Sequence, residues 1–148
     1  MDKSEKAKEL FKQGYNCAQA VVGAYAEELG IDMETAMKLA SSFGGGMGRL
    51  REVCGAVSGM FMVAGIKYGY SSPEASLEKT EHYKKIQELA AEFSESNGSI
   101  ICRELLGLRA GKDSHVPDER TEKYYKARPC VELVGDAVAI LEEYISKH

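Results

Sequence analysis

Apolar residues recur at helical spacing along most of this chain. Side chains three and four positions apart fall on one face of an α-helix, so this spacing predicts helices that each bury one face. Capping residues, glycines and prolines mark most of the ends of these segments. The predicted helices cover residues 7–14, 17–29, 33–43, 53–69, 73–95, 100–106 and 129–145.

The pattern gives no support for β-strands, since no run of alternating β-branched residues occurs. The segment 53–69 is apolar on nearly every side, so it should lie in the middle of a bundle. The segment 107–128 is polar and aperiodic, which predicts a long loop of the kind that often has a function. We therefore predict an all-α fold, a single-domain helical bundle of about six to seven helices over residues 1–148.

Composition and charge narrow the classes of partner. The 148 residues carry a formal net charge of −4, which argues against nucleic-acid binding because phosphate neutralisation needs a basic surface. No apolar stretch is long enough for stable membrane insertion. The first residues are charged and lack the apolar run of a signal peptide, which predicts a cytoplasmic protein. A second copy of the chain could cover the apolar helix at 53–69, so a homodimer is compatible with the sequence.

The four cysteines share one position in the predicted elements. Cys17, Cys54, Cys102 and Cys130 each fall in the first turn of a predicted helix. Permanent disulfides are rare in a reducing cytoplasm, so four cysteines in a small chain favour metal binding or redox chemistry. The partial positive charge of a helix N-terminus lowers the pKa of a thiol, and the thiolate is both a nucleophile and a metal ligand.

Arginines and glycines near these cysteines strengthen the case for a site. Arg49, Arg51, Arg103 and Arg128 lie close in sequence to three of the four sulfurs. Cys54 has two arginines and a glycine loop beside it, so it is the predicted attacking sulfur.

Glycines surround Cys54 on both sides. Gly44, Gly45 and Gly46 can aim successive backbone N–H groups into one concavity, and Gly55 allows another helix to approach closely. These four glycines are the predicted cofactor-binding positions. The run fits neither a P-loop, since no Lys-Ser or Lys-Thr follows it, nor a dinucleotide fingerprint, since no strand precedes it.

Five short motifs occur in an order that resembles a known family. They are "GYNCAQAV", "GGGMG", "CGAVSG", "CRELLG" and "PCVELV", and they cover most of the chain. Together they resemble the bacterial family of redox-active proteins labelled C_GCAxxG_C_C. The resemblance implies that Cys17, Cys54, Cys102 and Cys130 are the family's four characteristic cysteines, and it implies redox activity with no defined substrate.

Three functions remain open from the sequence. The first is thiol–disulfide exchange with a redox partner protein or a small thiol or electron donor, in which one thiolate attacks and a second cysteine resolves the mixed disulfide. The second is an iron–sulfur or zinc site with four thiolate ligands, namely Cys17, Cys54, Cys102 and Cys130. The third is a non-enzymatic interaction module that binds a partner through the loop 107–128, with structurally inert cysteines.

Overall fold

The chain folds into an all-α bundle. The computed structural model describes residues 1–108 and 112–148. Six helices in this part of the chain have eight residues or more, which confirms the predicted fold class. The helices are α1 (Lys3–Lys12), α2 (Cys17–Leu29), α3 (Met33–Ala40), α4 (Gly44–Met47), α5 (Gly55–Tyr68), α6 (Ser76–Asn97), α7 (Cys102–Leu105), α8 (Glu122–Ala127) and α9 (Cys130–Lys147).

The core lies between α2, α5 and α9, with α1, α3 and α6 packed around them. The two apolar helices α2 and α5 approach closely because Gly59 has no side chain. A Cβ at Gly59 would lie 2.9 Å from the carbonyl oxygen of Ala18, closer than packed atoms come. This contact brings the beginning of α5 against the beginning of α2.

Local signals set the ends of several helices as expected. Asp32 accepts a hydrogen bond from the N–H of Thr35 at 3.0 Å and caps α3. Gly30 and Gly98 adopt left-handed conformations directly after α2 and α6. In the left-handed conformation a glycine avoids the steric cost of a Cβ.

Other predictions of detail were wrong. The helix predicted to include Val53 begins at Gly55, because Val53 forms an antiparallel bridge with Ile101 instead. The same bridge delays α7, so Ser99 does not cap it and Ile101 precedes its first residue. Leu77 has the apolar spacing of the inward face in the helix predicted at 73–95 but is 70% exposed.

The polar segment after α7 is more structured than its sequence suggested. Positions 109–111 of the predicted loop lie outside the described residues. Further along, Thr121 accepts a hydrogen bond from the N–H of Tyr124 at 3.1 Å and begins α8. Within residues 1–108 and 112–148, no helix combines the length and hydrophobicity needed to cross a membrane.

Candidate functional site

The four cysteines surround one cavity where four helices begin. Cys17, Cys102 and Cys130 are the first residues of α2, α7 and α9, and Cys54 directly precedes α5. The cavity has a volume of about 260 Å³, and all four cysteines line it. The fold thus brings together sulfurs that are up to 113 positions apart in the chain (from Cys17 to Cys130).

Cys17 and Cys130 form a pair. The side chain of Asn16 accepts a hydrogen bond from the N–H of Gln19 at 2.8 Å, and Gln19 accepts one in return from the N–H of Asn16 at 3.0 Å. This reciprocal cap fixes the first turn of α2 and the position of Cys17. Both cysteines line the cavity, and each shifts the pKa of the other.

Cys54 and Cys102 are placed by the short antiparallel bridge. The N–H of Cys54 donates to the carbonyl of Ile100 at 2.8 Å, and the N–H of Cys102 donates to the carbonyl of Glu52. Successive side chains of an extended segment alternate between its two sides. Cys54 and Cys102 therefore lie on the side opposite Val53 and Ile101, diagonal to each other.

The glycine-rich turn at residues 44–48, which includes α4 and is called the glycine turn below, allows the chain to pass close to the sulfurs. Gly46 has a φ of +67°, and a Cβ there would lie 2.6 Å from the Cβ of Cys102. A Cβ at Gly44 would lie 2.5 Å from the Cβ of Asn16, and one at Gly55 would lie 3.0 Å from the Cβ of Cys17. Gly44, Gly45, Gly46 and Gly55 all line the cavity. Their role in binding a cofactor stays a prediction.

Three larger residues after the glycines also adopt left-handed backbone conformations. Met47, Arg49 and Arg51 have φ values of 71°, 67° and 60°. Such conformations cost on the order of 1 kcal/mol or more each for residues with a side chain, and they concentrate at functional sites. The tight path they create turns the side chains of Arg49 and Arg51 toward the cavity, which both of them line.

An ion-pair network joins these arginines to the polar segment. Arg49 contacts Asp118 at 3.0 Å and Asp113 at 3.2 Å. Arg51 donates to Asp113 at 3.1 Å, and Arg128 contacts Asp118 at 3.2 Å. The network holds residues 113–118 beside the beginnings of α5 and α9.

Arg120 contributes a fourth guanidinium group to the site. Unlike the other three, it has no carboxylate partner among the described residues. It donates to the carbonyl oxygens of Phe11 at 2.9 Å and Tyr15 at 3.0 Å. Its guanidinium carbon lies 4.1 Å from the centre of the Phe11 ring, a cation–π distance. These contacts anchor the segment before α8 to the end of α1 and leave the positive charge at the cavity.

The four thiols differ in acidity. The hydrogen bond from Cys17, opposed by burial and assisted by the charges of Arg128, Arg120 and Arg51, lowers the pKa of Cys130 to about 7. The same hydrogen bond, together with burial, raises the pKa of Cys17. Cys130 is therefore the sulfur most readily ionised near neutral pH.

The two remaining thiols hold their protons more firmly. Burial raises the pKa of Cys54 to about 12, although the N–H groups of Ala56 and Val57 act in the opposite direction. Burial also raises the pKa of Cys102, and a hydrogen bond from Arg51 at 3.6 Å partly offsets that effect. Desolvation thus outweighs the effect of the helix N-terminus beside Cys54.

Several residues of this site have no recognisable signal in the sequence. Arg120, Asp113 and Asp118 come from the aperiodic segment, where no local pattern indicated that they return to the cysteines. Charged residues are common in polar segments, so their types gave no separate signal. Of the arginines singled out earlier, Arg49, Arg51 and Arg128 line the cavity, whereas Arg103 pairs with Glu52 at 3.1 Å.

The donor geometry does not match a metal centre. Among residues 1–108 and 112–148, no three His, Cys, Asp or Glu side chains are arranged to hold a metal ion together. All four cysteines carry free thiols. Among the described residues, the four cysteines do not form a preformed site with four thiolate ligands.

Fold and site together define an all-α protein with a four-cysteine cavity. A family model described as "Putative redox-active protein (C_GCAxxG_C_C)" matches residues 15–144. The chain belongs to this family, which confirms the resemblance seen in the sequence. No curated protein and no solved structure matches the chain.

Proposed function

We propose that this protein carries out thiol–disulfide exchange, with Cys130 as the attacking thiolate and Cys17 as the resolving thiol. The observation that carries the proposal is the placement of Cys17 and Cys130 in one cavity that all four cysteines line, where each of the two thiols shifts the pKa of the other. The family's redox character supports the same class of chemistry.

The reaction has two steps. The Cys130 thiolate attacks one sulfur of a substrate disulfide, forming a mixed disulfide and releasing one substrate thiolate. Cys17 then attacks the Cys130 sulfur, forming the Cys17–Cys130 disulfide, and its proton leaves with the second substrate thiol. The substrate gains two electrons and the protein loses two. A dithiol donor, acting as the redox partner, returns the pair to its reduced form.

Thiolate populations favour Cys130 over Cys54 as the nucleophile. A thiol with a pKa of about 7 is about half ionised at pH 7. A thiol with a pKa of about 12 is ionised in about one molecule in 10⁵ at that pH. A thiol whose pKa is close to the ambient pH also combines ionisation with nucleophilicity.

Trapping the mixed disulfide tests the assignment. Reduced Cys17→Ser protein treated with a small disulfide should accumulate an adduct on Cys130, because no resolving thiol is present. Wild-type protein should instead form the Cys17–Cys130 disulfide, and Cys130→Ser should form neither product. Peptide mass spectrometry locates each bond. An adduct that forms first on Cys54, or that survives equally well in wild type, would contradict the proposal.

The metal content of the purified protein tests the alternative of an iron–sulfur or zinc site. An iron–sulfur cluster or zinc bound by the four cysteines stays a prediction, and no step is assigned to it because the described donors form no such set. Protein purified without oxygen should contain less than about 0.1 equivalent of iron or zinc. A full equivalent of either metal, lost in the Cys130→Ser variant, would replace the exchange proposal.

The cellular location and the oligomeric state complete the proposal. We propose a cytoplasmic location, where reducing conditions keep all four thiols available for exchange. The homodimer stays a prediction, and size-exclusion chromatography of the reduced protein tests it. If no cysteine reacts faster than a thiol in an unstructured peptide, the interaction module is the remaining function. In that case the cysteines are inert and residues 107–128 bind a partner.

A further inference from the structure

One buried arginine has a hydrogen-bond donor with no partner. The side chain of Arg51 is 4% exposed and lines the cavity. Its two terminal nitrogens donate to Cys102 at 3.6 Å and to Asp113 at 3.1 Å, but its Nε has no hydrogen-bond partner among the described residues. Leaving a donor of a buried charged group unpaired is unfavourable, so the Arg51 guanidinium has unused hydrogen-bonding capacity beside the cavity.

The cavity also carries an excess of positive charge. Arg49, Arg51, Arg120 and Arg128 line it, and Asp113 and Asp118 are the carboxylates that contact these groups among the described residues. Four positive and two negative charges leave a net charge of +2. Ionisation of Cys130 would offset only one of these charges.

From these two observations we propose that the cavity binds an anionic group of a small molecule, a carboxylate or another oxyanion, which accepts hydrogen bonds from the Arg51 guanidinium beside the cysteines. Arg120, whose charge no described carboxylate neutralises, provides the second cationic contact. An arginine guanidinium and an oxyanion form short, charge-assisted hydrogen bonds. Taken with the proposed function, on which this part rests, the substrate is a small disulfide that carries such an anionic group.

The size of the cavity favours a small ligand. Its volume of about 260 Å³ is below the range of about 300–1,000 Å³ that drug-sized ligands occupy. A protein disulfide would have to present its sulfurs at the narrow space between residues 113–118 and the glycine turn. A small anionic disulfide enters this space with its charged group directed at Arg51.

A pair of alkylating reagents measures the anion preference without any disulfide chemistry. Iodoacetate is anionic and iodoacetamide is neutral, yet both transfer a similar two-carbon group to a thiolate and release iodide. The rate ratio of iodoacetate to iodoacetamide at Cys130 should be about tenfold higher than the ratio for N-acetylcysteine, because an oxyanion gains charge-assisted contacts in the cavity. Mass spectrometry of the Cys130 peptide after short exposures gives both rates.

Matched variants assign the preference to the two arginines. Arg51→Met and Arg120→Met should each lower the rate ratio at least threefold. Lys38→Met removes the same charge from an exposed position on α3 and should leave the ratio unchanged. If Arg51→Met fails to fold, as judged by circular dichroism, Arg120→Met and the wild-type ratio decide.

The outcomes separate this inference from the exchange proposal. A wild-type ratio equal to that of N-acetylcysteine, or an equal loss in Lys38→Met, overturns the anion site. A raised ratio that falls with the arginine variants supports the site even if Cys17 and Cys130 never form a disulfide. Disulfide formation with no anion preference leaves exchange intact and rejects the anionic substrate.

Discussion

The interaction of two thiols in one cavity makes the two sulfurs chemically unequal. Cys17 holds its proton more firmly, while Cys130 ionises more easily. The arrangement needs no C-x-x-C spacing, because α2 and α9 each contribute one sulfur from their first residue. Sequence distance therefore says little about which cysteines act together in this fold.

Two substitutions at Cys17 test whether a hydrogen-bond donor at this position lowers the pKa of Cys130. Cys17→Ala removes the donor and should raise the pKa of Cys130 from about 7 toward its ordinary value of 9.0. Cys17→Ser keeps a hydroxyl donor and should hold the pKa within about one unit of the wild-type value. The pH dependence of Cys130 alkylation by iodoacetamide measures both. Equal pKa values in the two variants would show that the arginines alone acidify Cys130.

Acidity was the property that the sequence predicted least well. Cys54 was predicted in the first turn of a helix and directly precedes α5 instead, and its burial raises the pKa more than the helix lowers it. Burial and the Cys17–Cys130 contact both arise from residues far apart in the chain. His82 shows the same limit, because the mostly charged sequence of α6 favours an exposed side chain there, but the side chain is buried.

At the scale of elements, the glycine turn before α5 combines two demands on the backbone. Gly46 needs a left-handed conformation and also lies where a side chain would meet Cys102 and the Arg51 backbone. Gly30 has a similar φ of +72° but open space around it. Comparing substitutions at the two glycines therefore distinguishes the cost of the left-handed conformation from the cost of steric contact.

Alanine at each glycine tests this distinction. Gly30→Ala should lower the free energy of unfolding by about 1–2 kcal/mol, the cost of the left-handed conformation. Gly46→Ala should lower it by at least about 1 kcal/mol more, because the methyl group displaces Cys102 or Arg51. Urea denaturation of the reduced proteins measures both values. If Gly46→Ala lowers the free energy of unfolding no more than Gly30→Ala, the turn accommodates the methyl group without a steric cost.

The sequence predicted elements well where their signals were local. Asn16, Asp32 and Gly30 act within a few residues, and each ends or begins a helix as expected. The bridge between Val53 and Ile101 joins positions 48 apart, so periodicity gave no sign of it. The helix α8 was missed although Thr121 is a capping residue, because its short polar sequence has no apolar stripe.

Over the whole molecule, the unequal thiols make stability depend on pH in two opposite ways. Cys130 has a lower pKa folded than unfolded, so its contribution is fully present above pH 9 and is lost as the pH falls through about 7. Cys17, Cys54 and Cys102 have raised pKa values when folded, so their contribution is lost as the pH rises above 9. The two effects together place maximum stability of the reduced protein near pH 9.

Unfolding measured against pH checks this expectation. The free energy of unfolding of the reduced protein should rise by about 2 kcal/mol between pH 6.5 and 9 and then decline. Cys130→Ser should lose the rise and keep the decline, since its serine does not titrate in this range. A rise that persists in Cys130→Ser would assign it to another group.

The placement of every cysteine at the beginning of its helix gives the molecule a reactive end and an inert end. The helix α9 extends 18 residues from Cys130, about 27 Å at 1.5 Å per residue. A fluorophore or surface tether attached near His148 would therefore stand far from the sulfurs. Immobilised through that end, the protein would present its cavity outward, and electron exchange with a delivered partner could be followed without hindrance from the support.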